Sequence, residues 1–388
     1  MNENGYKIIK TDADARAGEL RTAHGTVLTP VFMPVGSQAT VKTLTSEEIS
    51  GMGWRMVLAN AYHLYLRPGV DIIEEIGGLH RFMGWGGAIL TDSGGYQIFS
   101  LAPLCRIDDE GVVFRSHIDG SKHSLTPETA VQMQERIGAD IIMALDECRS
   151  HDSDYDGVKA AMRRTQHWAE RCLKAHKREE QSLYAIVQGG MFPELRRQSA
   201  ADLSSLGFDG YAIGGLSIGE PKTVTLNMLE ETVPYLPADR IRYLMGVGSP
   251  EDIVEGVARG IDMFDSALPT RVARNGALFT LQGRRNIGNA AFKKMDRPFD
   301  PDCGCYTCRN FSAAYLHHLF RAGELLGLRL ATLHNLTFVQ NLLKQIRVSI
   351  LDGSFTSFRE DFLAEYRTTD EKTRVSQKQK WLNARKTA

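Results

Sequence analysis

Three aspartates sit in sequence contexts where a carboxylate could do chemistry. Asp92 lies in Thr91-Asp92-Ser93-Gly94-Gly95-Tyr96-Gln97, Asp146 in Leu145-Asp146-Glu147-Cys148, and Asp265 in Met263-Phe264-Asp265-Ser266-Ala267-Leu268-Pro269-Thr270-Arg271. Two carboxylates in one pocket can divide labour, one attacking an electron-poor carbon while the other moves a proton, and chemistry at a glycosidic carbon needs that pairing. Asp92 and Asp265 are the candidates. Asp146 joins Gln188 of Val187-Gln188-Gly189-Gly190 and the bare backbone of Ile213-Gly214-Gly215-Leu216 and Met245-Gly246-Val247-Gly248. Such a set can read the edge of a purine, the carboxylate accepting from ring N–H and amino groups, the amide and a glycine N–H meeting the carbonyl. Tyr96 offers a flat face for stacking. Taken singly, each of these residues also fits an ordinary cap on a strand end.

A second constellation is metallic in type. Cys303-Gly304-Cys305-Tyr306-Thr307-Cys308 and, further on, His334 supply three thiolates and an imidazole, a full tetrahedral set for Zn²⁺. Four protein ligands leave no open position, so one structural zinc per chain is expected and not an activator of water. His317 and His318 lie near enough in sequence to compete with His334 as the fourth ligand.

Elements must hold these residues in place, and eight short apolar runs end in them. The runs are 30–35, 55–60, 88–92, 141–146, 183–188, 211–215, 242–246 and 262–265, and most of the intervals can hold a helix. Buried parallel strands with helical connections read this way, and eight in series predict a (β/α)₈ TIM barrel of the α/β class. Such a barrel places its chemistry at the carboxyl ends of its strands, here Asn60, Asp92, Asp146, Gln188, Gly215, Gly246 and Asp265. Thr126-Pro127-Glu128 and Ser249-Pro250-Glu251 start two helices, and the apolar stripe Val158, Ala161, Met162, Thr165, Trp168, Ala169, Cys172 and Leu173 makes a third. Two insertions interrupt the pattern. A hairpin turns at Asp119-Gly120, and roughly seventy residues separate the eighth strand from its helix, expected over 336–350. The expected organisation is a barrel over 1–300 and 335–366, a zinc-binding subdomain over 301–334 inserted between strand 8 and the last barrel helix, and a polar, disordered tail over 367–388.

Composition limits the alternatives. With 46 Lys plus Arg against 47 Asp plus Glu among 388 residues, no global field advertises a polyanion, so a nucleic-acid surface must be local. Arg271, Arg274, Arg284, Arg285, Lys293, Lys294 and Arg297 form such a stretch. No signal peptide or membrane-spanning run is visible, which places the protein in the cytoplasm with no membrane partner, and the six cysteines do not form a secreted disulfide framework.

The motifs around Asp92, Asp146, Gln188, Gly215, Met245 and Asp265, with the Cys303/Cys305/Cys308/His334 set, resemble tRNA-guanine transglycosylase in its bacterial queuine-pathway form, from about Gly25 to Tyr366. The resemblance implies exchange of guanine at wobble position 34 of GUN-anticodon tRNAs for preQ1, by a covalent Asp–RNA intermediate and without a nucleotide cofactor. It makes Asp265 the nucleophile and Asp92 the general acid and base. It assigns base contacts to Asp92, Ser93, Tyr96, Asp146, Cys148, Gln188, Gly215, Leu216 and Met245. It assigns RNA contacts to Gly246, Val247, Gly248, Ser249, Pro250, Glu251, Asp252, Thr270, Arg271, Val272, Ala273 and Arg274. Cys148 and Ile218 stand where bacterial members carry Cys and a branched aliphatic residue, which implies preQ1 in preference to the larger queuine, and a homodimer is the family habit. The rivals are an archaeal-type transglycosylase acting in the D-arm, disfavoured by the short C-terminal remainder, and a non-catalytic RNA-binding barrel, which would not need both Asp92 and Asp265. A sugar-processing barrel is a third, disfavoured by the cysteine cluster and the arginines.

Overall fold

The computed structural model describes residues 5–95, 97 and 105–368. Chain order begins with an antiparallel sheet, β1 (Gly5–Asp12), β2 (Ala15–Thr22) and β3 (Gly25–Thr29). Eight parallel strands then close into a barrel: β4 (Val31–Gly36), β5 (Met56–Ala59), β6 (Ala88–Thr91), β10 (Ile141–Met143), β11 (Ser182–Val187), β12 (Gly210–Ile213), β13 (Ile241–Leu244) and β14 (Met263–Ser266). Each of the eight apolar runs read from the sequence contributes one of them. Between β6 and β10 lies a three-stranded antiparallel sheet, β7 (Arg106–Asp108), β8 (Gly111–Arg115) and β9 (Lys122–Leu125), so the expected hairpin gains a third strand.

Alternation along each strand separates two cores, because successive side chains of a strand point to opposite faces. Met33, Met56, Leu58, Leu90, Met143, Ile186, Ala212, Tyr243 and Met263 fill the barrel interior, while Val57, Ile89, Ile142, Ala185, Ile213 and Phe264 belong to the layer under the helices. The same period fixes what stands at the mouth. Asn60, Asp92, Gln188, Met245 and Asp265 each follow an inward-facing residue by two positions, at the carboxyl ends of their strands.

The opposite end is plugged by the first sheet, whose Leu20 and Val27 join the interior core. Asp262 is the anchor there, accepting from Tyr6 Oη at 2.8 Å and Arg16 Nε at 3.0 Å. Asp140, also at this end, accepts from His24 Nδ1 (2.8 Å) and main-chain N–H (3.2 Å), His80 Nε2 (3.0 Å) and the Ile89 N–H (2.8 Å). His24, His80 and Asp140 thus have the donor types of a cation site, but four hydrogen bonds already satisfy the carboxylate.

Helices wrap the barrel. Thr126 caps Pro127–Ile137 through a reciprocal capping box, and the 21-residue helix Tyr155–Ala175 buries Val158, Ala161, Met162, Thr165, Trp168, Ala169 and Cys172, with Leu173 of the same stripe partly buried at its edge. The last barrel helix differs from expectation. It runs 28 residues, Leu325–Asp352, so His334 lies well inside it and not at its start. Among the described residues no helix is long and apolar enough to cross a membrane.

Candidate active site

Asp92 is 7% exposed. Its Oδ1 accepts the Ala61 N–H at 3.0 Å, and its Oδ2 accepts Asn60 Nδ2 at 2.5 Å and Gln97 Nε2 at 2.8 Å. Burial pushes its carboxyl up to about 8, and the charges of Asp265 and Asp146 add to that rise, while the Ala61 and Gln97 hydrogen bonds oppose it. A carboxyl of this kind carries a proton at neutral pH and can give it up in a reaction.

Asp265 lies further out in the same mouth. Among the described residues both donors to it, Tyr243 Oη at 2.6 Å and the Gly246 N–H at 2.7 Å, meet Oδ1. Gly246 adopts φ +75°, a left-handed turn that a residue with a Cβ enters at a cost, and this turn aims its N–H back at the strand end. Burial raises the Asp265 carboxyl above its ordinary value, and the Gly246 and Tyr243 donors pull against that rise. Tyr243 feels the charges of both Asp265 and Asp92, so the two carboxylates share one electrostatic neighbourhood.

On the other side of the mouth, Asp146 accepts Ser93 Oγ at 2.9 Å and Gln188 Nε2 at 2.7 Å, and burial raises its carboxyl. Glycines make this wall possible. A Cβ on Gly95 would lie 2.5 Å from the Asp146 carbonyl oxygen, and one on Gly215, at φ +68°, would lie 2.5 Å from Gln188 Oε1. Leu216 and Cys148 are buried beside the wall, and burial pushes the Cys148 thiol up to about 12, a neutral packing group at physiological pH. Met245, partly buried, packs against the interior core. Tyr96 lies outside the described residues.

The segments singled out for RNA divide by exposure. Gly246 is exposed, and Ser249, Asp252, Arg271, Val272 and Arg274 are partly exposed. The side chains of Val247, Pro250, Glu251, Thr270 and Ala273 are buried, and Gly248 packs so closely that a Cβ would lie 2.5 Å from Ser266 Cβ. Lys222 Nζ reaches Glu251 at 2.6 Å and Asp252 at 2.7 Å, one cation shared between the two acids of this segment.

The cysteine cluster assembles as its spacing implies. Cys303, Cys305 and Cys308 Sγ lie 3.7, 3.5 and 3.4 Å from His334 Nδ1. A tetrahedral centre with metal–sulfur bonds of about 2.3 Å and a metal–nitrogen bond of about 2.0–2.1 Å requires N···S separations of about 3.6 Å. The four residues therefore fit a metal ion. The other ring nitrogen, Nε2, meets the Phe279 carbonyl at 2.7 Å, which fixes the tautomer that leaves Nδ1 facing the sulfurs. Next along the helix, Asn335 accepts the Phe279 N–H at 2.9 Å and donates to the carbonyls of Pro269 and Ala277, both at 3.0 Å.

Three residues that position the site escaped the reading of the sequence as contacts. Asn60 stands among the strand ends, Gln97 ends a quoted motif and Tyr243 lies in the run 242–246, yet nothing in the sequence pairs Asn60 and Gln97 with Asp92 or Tyr243 with Asp265. The two-residue alternation is the available signal, since it sets Tyr243 inward like Met245.

Comparison with known proteins places this geometry. The family described as Queuine tRNA-ribosyltransferase matches residues 11–368. Proteins named queuine tRNA-ribosyltransferase are similar along their length: one from Dehalococcoides mccartyi is 60% identical over 371 residues, 96% of this chain and 95% of the relative. One from Herpetosiphon aurantiacus is 54% identical over 387 residues, 100% and 99% respectively, and one from Moorella thermoacetica is 55% identical over 363 residues, 93% and 97%. Matched nearly end to end, and carrying a closed barrel with two carboxylates at its mouth, the chain belongs to the queuine tRNA-ribosyltransferase family.

Proposed function

We propose that this chain exchanges the guanine at position 34 of GUN-anticodon tRNAs for preQ1, in queuosine biosynthesis. The observation that carries this reading is the arrangement around Asp265. Tyr243 and Gly246 hold one carboxylate oxygen, and Oδ2 is the oxygen that attacks C1′ of a nucleotide turned out of its stack. The glycosidic bond breaks as the Asp265–C1′ bond forms, and Asp92 delivers its proton to the departing guanine. An incoming base loses a proton to Asp92 and attacks C1′ in turn, which releases Asp265. Asp146, Gln188, Ser93 and the Gly215 backbone read the base edge. Asp146 and Gln188 are bonded to each other in this structure, so the base replaces one charge-assisted contact with others.

Zinc in the Cys303/Cys305/Cys308/His334 site suits the three sulfurs and one nitrogen, and its role is structural. Arg271 and Arg274 supply phosphate contacts, Cys148 and Ile218 suit preQ1, and two copies of the chain pair as a homodimer. The test is Asp265→Asn. Its amide oxygen can keep both donors, so the fold persists, while the nucleophile is gone. Release of labelled guanine from position 34 should cease, and no RNA–protein adduct should survive denaturation. Unchanged release would remove Asp265 from this role.

A further inference from the structure

We infer that Arg196 positions the base-reading wall and thereby sets the affinity for the exchanged base, an inference that rests on the exchange reading above. Pairing between β11 and β12 ends at Val187 and Ile213, so Gln188 and Gly215 lie just past the last rung of the ladder. Arg196, in the helix Pro193–Ser204, is fully buried and reaches back to this place. Its Nε donates to the Gly190 carbonyl at 2.8 Å, and its Nη1 donates to the carbonyls of Gly214 at 2.8 Å and Val187 at 3.2 Å. These carbonyls bracket the two reading residues: Val187 and Gly190 lie on either side of Gln188, and Gly214 precedes Gly215.

The bonds of the Arg196 guanidinium all go to neutral carbonyls and Nη2 is buried without a partner, so its desolvation is offset only by those bonds and by the nearby charge of Glu220. Burial lowers its ionisation to about 10, which still leaves it charged. What the charge and the planar fork supply is geometry, since one rigid group fixes two strand ends relative to each other. Nη2 lies 3.5 Å from where a Gly215 Cβ would stand, directly behind the backbone that meets the base.

The base is held in ground and transition states alike, so loosening the wall raises KM for the base and spares kcat. Arg196→Met should raise KM for free guanine at least about tenfold with kcat within about threefold, and KM for tRNA should move less, because its phosphates add contacts the wall does not make. Arg196→Lys, which keeps the charge but lacks the fork, should fall between. KM does not depend on the active fraction, which is counted by trapping the RNA adduct, so partial misfolding does not obscure the result. A fall in active fraction with KM for guanine unmoved in both variants would overturn the inference. Calorimetric titration with preQ1 reads the wall without turnover. Wild-type binding weakened by both substitutions, in a protein that exchanges no guanine, would sink the exchange reading and keep this one.

Discussion

Replacing Tyr243 with Phe removes one hydroxyl from the barrel interior and leaves the ring packing intact. That hydroxyl donates to Asp265 Oδ1 at 2.6 Å, and the Gly246 N–H remains as the second donor. A hydrogen bond to a charged group contributes roughly 1.5–3 kcal/mol, about ten- to a hundredfold in an equilibrium constant, so losing it should favour the protonated form of Asp265 by about that factor. The sign follows from the chemistry. Attack needs the carboxylate, so the rate of adduct formation falls where Asp265 takes up a proton, and in Tyr243→Phe this fall should begin at higher pH. Well above it, the variant should recover a rate near that of wild type. Single-turnover formation of the RNA–protein adduct, followed from about pH 5 to pH 9, gives the profile directly. A uniform loss at every pH, with the acid limb in its original place, would show that Tyr243 only supports the backbone and would refute the reasoning.

Two further outcomes follow from the same geometry. Asp92→Asn should slow exchange by about 10²- to 10⁴-fold, the usual contribution of a general acid, as read by guanine release. The Asp92 carboxyl is raised to about 8 in the folded protein, so the stability it contributes is fully present below the unfolded value near 4 and is lost as pH climbs through about 8. Melting temperature should therefore decline less steeply over that window in the variant, and an identical slope would contradict the assignment. For the metal centre, elemental analysis should find one zinc per chain, and Cys305→Ser should lower both that content and the melting temperature. Full activity and unchanged melting after metal removal would defeat the structural role.

The barrel was legible because its strands are buried on both faces and end in glycine or polar residues, a signal that short apolar runs carry by themselves. The first sheet was not. β1 has one side in solvent and its buried contacts are made by Tyr6, so its alternation reads as a polar start. The final helix begins eleven residues before the 336–350 span that its apolar stripe marks, and Gly327 lies in that added part. In the fold a Cβ there would come within 3.1 Å of Leu319 Cβ, a close approach to the preceding helix that glycine permits. Asp92, Asp146, Gln188 and Asp265 were visible because chemistry restricts residue type at a strand end. Their supports were hidden for the opposite reason. Tyr243 reads as one more core residue, and Arg196, next to Arg197, reads as a solvent-facing cation until the helix is laid against β11 and β12.

His334 and Asn335 are neighbours on one helix, the first turned to the sulfurs and the second stitched to the helix Leu268–Arg274 and the strand Ala277–Thr280 that follow Asp265. The inserted module therefore cannot shift relative to the reaction centre without breaking these hydrogen bonds.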